Sequence, residues 1–139
     1  MPEVSRAPEI GELEIPMDAW TQPFWDAAAD QRLVLPRCAE CKHFRWPPGP
    51  FCPDCQSQNI EWMPSGSGRI YSFTIIRDPK ANGTHPIHVP ALIEFADAPG
   101  IRLLAAIVDT PLDAIRIGTT VTLGWSSAAN AKVPVFHIP

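Results

Sequence analysis

Four cysteines carry the most specific chemistry in this chain. Cys38-Ala39-Glu40-Cys41 and Cys52-Pro53-Asp54-Cys55 form two CxxC pairs, ten residues apart, and there are only 4 cysteines in all. Two such pairs at this separation suit a tetrahedral Zn²⁺ held by four thiolates. Iron in a rubredoxin-like site would have the same geometry. A redox dithiol needs a reactive thiolate at a helix start, and nothing places one here. Catalytic zinc needs a coordination position open to water, whereas four sulfurs close the tetrahedron. His43 lies two residues past Cys41 and therefore reads as a surface residue or a support for the sulfurs. With every thiol on a metal, none is left to act as a nucleophile.

Short strands must hold these pairs. Leu33-Val34-Leu35 leads into the first, and Phe44-Arg45-Trp46 returns from it and ends at Pro47-Pro48. Phe51 leads into the second, and Ile60-Glu61-Trp62-Met63 leaves it. This is the layout of a zinc ribbon, in which backbone amides of each tight turn point at the sulfurs. Before it, Thr21–Gln31 reads as a helix. Thr21 or Gln22 caps it, Pro23 suits its first turn, and the alanines propagate it. Phe24, Trp25 and Ala28 share one face of that helix. Residues 1–19 read as an arm on a surface, in part disordered, with Glu12 and Glu14 as solvated charge.

After Pro64-Ser65-Gly66-Ser67-Gly68 the pattern becomes strands only. Five are expected: Arg69–Asp78, Ala91–Ala96, Ile101–Asp109, Thr119–Trp125 and Val133–Ile138. Asp97-Ala98-Pro99-Gly100 joins the second to the third as a hairpin. Leu112–Ile117 is expected to make one helical turn before Gly118. On strand one, Tyr71, Phe73 and Ile75 alternate, which points them together into a core. Five strands at this spacing after a ribbon predict a small Greek-key barrel of the OB type. The fold class is therefore mainly β: an N-terminal arm and helix over 1–35, a rubredoxin-like zinc ribbon over 36–63, and a five-stranded OB-fold barrel over 64–139.

Composition sets the outer limits. The chain has 139 residues, 11 Lys+Arg against 15 Asp+Glu, and a net charge of −4. A tetrathiolate zinc would take it to about −6. That balance gives no general pull toward nucleic acid or anionic membrane. There are 17 prolines, about 12% against a usual ~5%. At this density proline disfavours long helices and favours short strands with fixed turns. No apolar run is long enough to span a membrane. A cytoplasmic location is expected, because zinc-bound thiolates suit a reducing compartment.

The order helix, CxxC, aromatic-Trp-Pro-Pro, CxxC, Trp, Gly-x-Gly and then strands resembles a known family. These are the zinc-ribbon/OB-fold acyl-CoA-associated proteins, small partners of thiolase-like enzymes. The stretches that match are PFWDAAADQRLVLPRCAECKHFRWPPGPFCPDC, IEWMPSGSGRIYSFTIIRD, IRIGTTVTLGW and PVFHIP, and they cover roughly Trp20 to Pro139. The resemblance implies a non-catalytic subunit beside a thiolase, an acyltransferase or a steroid side-chain aldolase. It would bind that enzyme and support or pass on its acyl-CoA. The family often has Gly directly after the second knuckle cysteine, where this chain has Lys42.

In that setting Arg37, Lys42 and Arg45 around the first knuckle are candidates for the phosphates of a coenzyme A thioester, since Arg and Lys suit phosphate. The plainer role is to offset the charge of the metal–sulfur cluster. Lys80 is a fourth candidate, in the loop Pro79–Pro90 with His85 and His88. That loop otherwise reads as a solvated connection stiffened by three prolines. His85 and His88 lack further ligands nearby for a second metal. Seven large aromatics, Trp20, Phe24, Trp25, Phe44, Trp46, Phe51 and Trp62, exceed what a ribbon can bury alone, so some must meet the barrel or a partner. A nucleic-acid-binding module on the same folds is the alternative, weakened by sparse basic residues. No nucleophile elbow, P-loop, GxGxxG or HExxH is present.

Overall fold

The computed structural model describes residues 3–139. One helix, α1 (Gln22–Ala29), precedes eight strands. The Asp18 carboxylate accepts the Thr21 backbone N–H at 2.8 Å, and Pro23 sits in the first turn of α1. Phe24, Ala27 and Ala28 form its buried side. Trp25 is only half-buried and stands edge-on to Phe24. The helix stops at Ala29, and Gln31 beyond it takes a positive φ of 55°.

β1 (Leu33–Cys38) and β2 (Ile60–Ser65) pair antiparallel over six residues, from Leu33↔Ser65 to Cys38↔Ile60. This ladder carries the first metal cysteine at one end and joins the barrel at the other. Leu33 and Leu35 belong to the same apolar cluster as the barrel interior. A ribbon too small to bury its own side chains is thus anchored on a larger core.

The barrel consists of β3 (Ser67–Phe73), β5 (Ile87–Phe95), β6 (Ala98–Ile107), β7 (Thr120–Ser127) and β8 (Lys132–His137). Pairing runs β3-β7-β8-β6-β5 and closes from β5 back to β3. All pairs are antiparallel except β6–β8. β5 alternates without a break, with Ile87, Val89, Ala91, Ile93 and Phe95 inward. Ile70, Ile101, Leu103, Ile107, Val121 and Phe136 fill the rest. The five-stranded OB barrel expected from the strand count is the fold observed. At Gly68 a Cβ would overlap Ile93 Cγ2 and lie 3.2 Å from Phe95 Cε1, so this crossing needs glycine.

Several boundaries differ from the sequence reading. The first barrel strand breaks at Thr74-Ile75, and Ile76–Arg77 forms a separate short strand, β4, against β5. The register shifts between Ile70 and Ser72. Tyr71, next to buried Ile70, points outward and is 40% exposed, and the bulge reverses the alternation after it, so that Phe73 packs on the core. Tyr71, Phe73 and Ile75 therefore do not share an inward face. β5 begins at Ile87, inside the stretch read as loop, so His88 and Pro90 are strand residues. The β5–β6 turn is the two-residue Ala96-Asp97, with Phe95 opposite Ala98. A 3₁₀ turn covers Leu112–Ala114, and Gly118 follows with φ 88°.

The N-terminal arm is tied down. Ser5 N–H donates to the Thr110 carbonyl, Asp109 N–H to Ser5, and Arg6 N–H to Ile87. Ser5 and Thr110 are both buried. Further along, Ala129 N–H donates to Leu13, and the Asn130 side chain accepts from Ile15 N–H. The disorder expected over 1–19 does not extend to these residues; Met1 and Pro2 lie outside the described ones. Glu12 and Glu14 are exposed, as expected. Among the described residues no helix is long and apolar enough to cross a membrane.

Candidate metal centre and its surroundings

Each CxxC forms the same turn. Cys38 N–H donates to the His43 carbonyl at 2.8 Å, and Lys42 N–H donates back to Cys38 at 3.0 Å. In the second knuckle, Cys52 N–H donates to Ser57 and Gln56 N–H to Cys52, both at 2.8 Å. The residue after each second cysteine takes a left-handed backbone, φ 67° at Lys42 and 65° at Gln56. The turn demands this conformation, so Lys42 does fill a position that suits glycine. Gln56 is its counterpart and was not singled out from sequence. Its signal is its place directly after Cys55.

The two turns bring four sulfurs together. Cys38 Sγ lies 3.5 Å from Cys55 Sγ, and Cys41 Sγ lies 3.6 Å from Cys52 Sγ. All four donor atoms fall within 4.8 Å of one another. A tetrahedron with ~2.3 Å Zn–S bonds has edges of about 3.8 Å, so the quartet fits the ion. The protein's own groups already favour thiolates. The N–H groups of Cys41 and Glu40 aim at Cys38 and pull its pKa down to about 6. Cys55 and Asp54 N–H groups likewise hold Cys52 low. The His43 N–H acts the same way on Cys41, but burial and the neighbouring sulfurs outweigh it and push Cys41 up to about 12. Cys55 is also raised: the sulfur of Cys38 and burial together outweigh the Ser57 N–H. The first cysteine of each knuckle is thus the one whose thiolate the backbone favours, and a divalent cation would favour the thiolate form of all four.

The basic residues around the first knuckle have separate fates. Arg37 Nε lies 2.6 Å and Lys42 Nζ 3.1 Å from the same oxygen of Glu61. Those two hydrogen bonds, that from Lys42 first, hold the Glu61 carboxyl below its ordinary range. Arg37 also lies over the Phe44 ring, 5.7 Å from its centroid. Arg45 is 9% exposed; its Nη2 donates to the Gly49 carbonyl, while Nε and Nη1 have no partner among the described residues. Glu61 is the residue that sequence reasoning missed here. Its place opposite Arg37 on the β1–β2 ladder follows only once the register is known.

Lys80 stands apart from these three. It pairs with Asp78 at 2.7 Å and Glu9 at 3.4 Å, and Asp78 chiefly raises its pKa. It lines an open cavity of about 670 Å³ with Arg6, Glu9, Asn82, Thr84 and His85. Arg6 and Glu9 come from the arm, which composition alone could not place there. Of the seven aromatics, Phe24, Trp25, Phe44, Trp46 and Trp62 pack into or against the core. Phe51, 57% exposed, and Trp20, 39%, do not.

The chain resembles known proteins in both halves. The description "ChsH2, rubredoxin-like zinc ribbon domain" matches residues 25–61, and "ChsH2, C-terminal OB-fold domain" matches 64–126. A "DUF35 domain-containing scaffold protein" of Pyrococcus furiosus is 33% identical over 94 residues, covering 66% of this chain and 67% of that protein. The chain belongs to the ChsH2/DUF35 family. The solved structure titled "Ltp2-ChsH2(DUF35) aldolase" superposes with a TM-score of 0.78 at 33% identity, over 90% of this chain and 98% of that one. A "Probable enoyl-CoA hydratase alpha subunit" of Thermomonospora curvata is 39% identical over 117 residues. That match takes in 82% of this chain, which spans only 36% of the relative's length. The ChsH2/DUF35 descriptions agree with the zinc ribbon, the OB fold and the metal-binding cysteine cluster derived above.

Proposed function

We propose that this ChsH2/DUF35 chain is a non-catalytic accessory subunit of a thiolase-like acyl-CoA enzyme, of the thiolase, acyltransferase or steroid side-chain aldolase type. The observation that carries the reading is the convergence of all four thiols on one closed centre. Such a centre builds structure and leaves no sulfur for chemistry. The likeness to the chain in the aldolase structure and to scaffold proteins supports a partner-binding role. The likeness to part of a hydratase subunit supports acyl-CoA as the setting.

Cys38, Cys41, Cys52 and Cys55 would each give one thiolate to a structural Zn²⁺. When bound, the ion supplies a cross-link between the two knuckles. The chain's own residues then do the rest: Glu61 orients Arg37 and Lys42, and exposed Phe51 stands at the tip. Residues 1–35, 36–63 and 64–139 would act as arm with helix, ribbon and barrel. For an acyl-CoA thioester, Lys42 is the better placed cation: it shares Glu61 with Arg37 but its side chain is 57% exposed, whereas Arg45 is buried, Arg37 lies between Glu61 and Phe44, and Lys80 is paired with both Asp78 and Glu9. Four unbridged cysteines suit a reducing, cytoplasmic setting.

The test is purification of the tagged chain from its native cell at physiological salt. A stoichiometric thiolase-like protein is expected alongside it. A chain that elutes alone, or with nucleic acid, would overturn the reading.

A further inference from the structure

The metal centre is closed on one side and open on the other. Cys38 and Cys52 are 0% and 1% exposed, whereas Cys41 is half-buried and Cys55 exposed. Any ion that enters or leaves must pass the second cysteine of each knuckle. Two further ligand-type side chains stand on that side. His43 Nδ1 lies 3.6 Å from Cys41 Sγ and 3.0 Å from Asp54 Oδ2. The donor atoms of Cys41, His43 and Asp54 all lie within 4.8 Å of one another. They offer sulfur, imidazole nitrogen and carboxylate oxygen, the three donor types that zinc accepts.

We propose that Cys41, His43 and Asp54 form a metal-exchange site, a landing position through which a divalent zinc-type cation enters and leaves the four-sulfur centre. The inference rests on the reading of that centre as a zinc site. Cys41 belongs to both donor sets, so an ion can move inward without ever being released. It gives up the His43 nitrogen and the Asp54 oxygen as bonds form to the sulfurs of Cys38, Cys52 and Cys55, and the displaced thiol protons go to solvent. The two outer side chains, 67% and 57% exposed, have the freedom to close on an ion and open again. The inner pair, fixed by backbone N–H groups, has not. A site shared in this way changes how fast the ion moves, not how tightly it is finally held.

The experiment uses the full chain with Zn²⁺, and with Co²⁺ as a spectroscopic stand-in. Uptake by the reduced, metal-free protein and transfer from the loaded protein to a chelator are followed in stopped flow. His43→Ala, Asp54→Ala and the double variant are compared with the parent, and equal Co²⁺ spectra at saturation show that the four-sulfur centre is intact. Both uptake and release should slow by the same factor, which leaves Kd unchanged. The double variant should be no slower than either single one, and Asp54→Glu should restore most of the rate. Unchanged rates would overturn the proposal. So would a weakened Kd with unchanged uptake, which would make the pair a clamp on the bound ion. Failure of the zinc reading itself is separate, because the parent protein would then hold no stoichiometric metal.

Discussion

Removing the metal should disorder residues 39–59 and leave the barrel intact. This segment holds both turns, yet it contributes no strand, only an isolated bridge between Arg37 and Phe44. Its buried residues are few: Arg45, Pro48 and Cys52. Burying an apolar side chain contributes ~1.5–3 kcal/mol, and Arg45 brings two unpartnered nitrogens instead of a gain. A structural zinc contributes about 10–16 kcal/mol in small zinc domains, several times what Pro48 and Cys52 can supply. Ordering each residue costs ~1–2 kcal/mol, so without the ion the packing of Phe44 and Trp46 against the core offsets only part of that cost. Leu33 and Leu35, by contrast, remain in the barrel's own cluster. The assay is hydrogen exchange by mass spectrometry, before and after chelation confirmed by elemental analysis. Amides of 39–59 should lose protection, while those of β5 and β6 keep theirs. Full protection of 39–59 in verified metal-free protein would refute the reasoning.

Three other perturbations test the geometry. Gln56→Gly removes an αL cost of ~1–2 kcal/mol, against ~0.5–1 kcal/mol of added glycine entropy, so denaturant melts should show a gain of about 0.5–1 kcal/mol. Gly68→Ala forces a methyl against Ile93 and should lose ~1–3 kcal/mol in the same melts. The Glu61 pKa is lowered in the fold, so its pairing stabilises above the unfolded pKa and is lost as pH falls through the folded one. Parent and Glu61→Gln melts should accordingly differ at pH 7, and the difference should begin to shrink only as pH falls below the ordinary Glu value of about 4.3.

How much of this was readable depends on the range of each interaction. The metal set was legible because CxxC spacing is local: the turn that aims Cys38 and Cys41 is set within six residues. The barrel was legible from strand count, since β5 alternates throughout and β6 from Ile101 onward. Tyr71 was misread because a one-residue bulge reverses parity, and nothing in RIYSFTIIRD marks where the partner strand slips. Ile87–Pro90 was misread because three prolines outweighed the alternation of Ile87, Val89 and Ala91. Glu61 under Arg37 and Lys42, and Glu9 beside Lys80, depend on pairings 19 to 71 residues apart in sequence. No local signal encodes those.

The most direct test of the account is reconstitution with the proposed thiolase-like partner. Acyl-CoA turnover should be measured for the partner alone, for this chain alone, and for the zinc-loaded mixture. The account predicts no turnover by this chain and a rise in the partner's rate on mixing, lost with Cys52→Ser. Turnover of acyl-CoA by the isolated chain would contradict it.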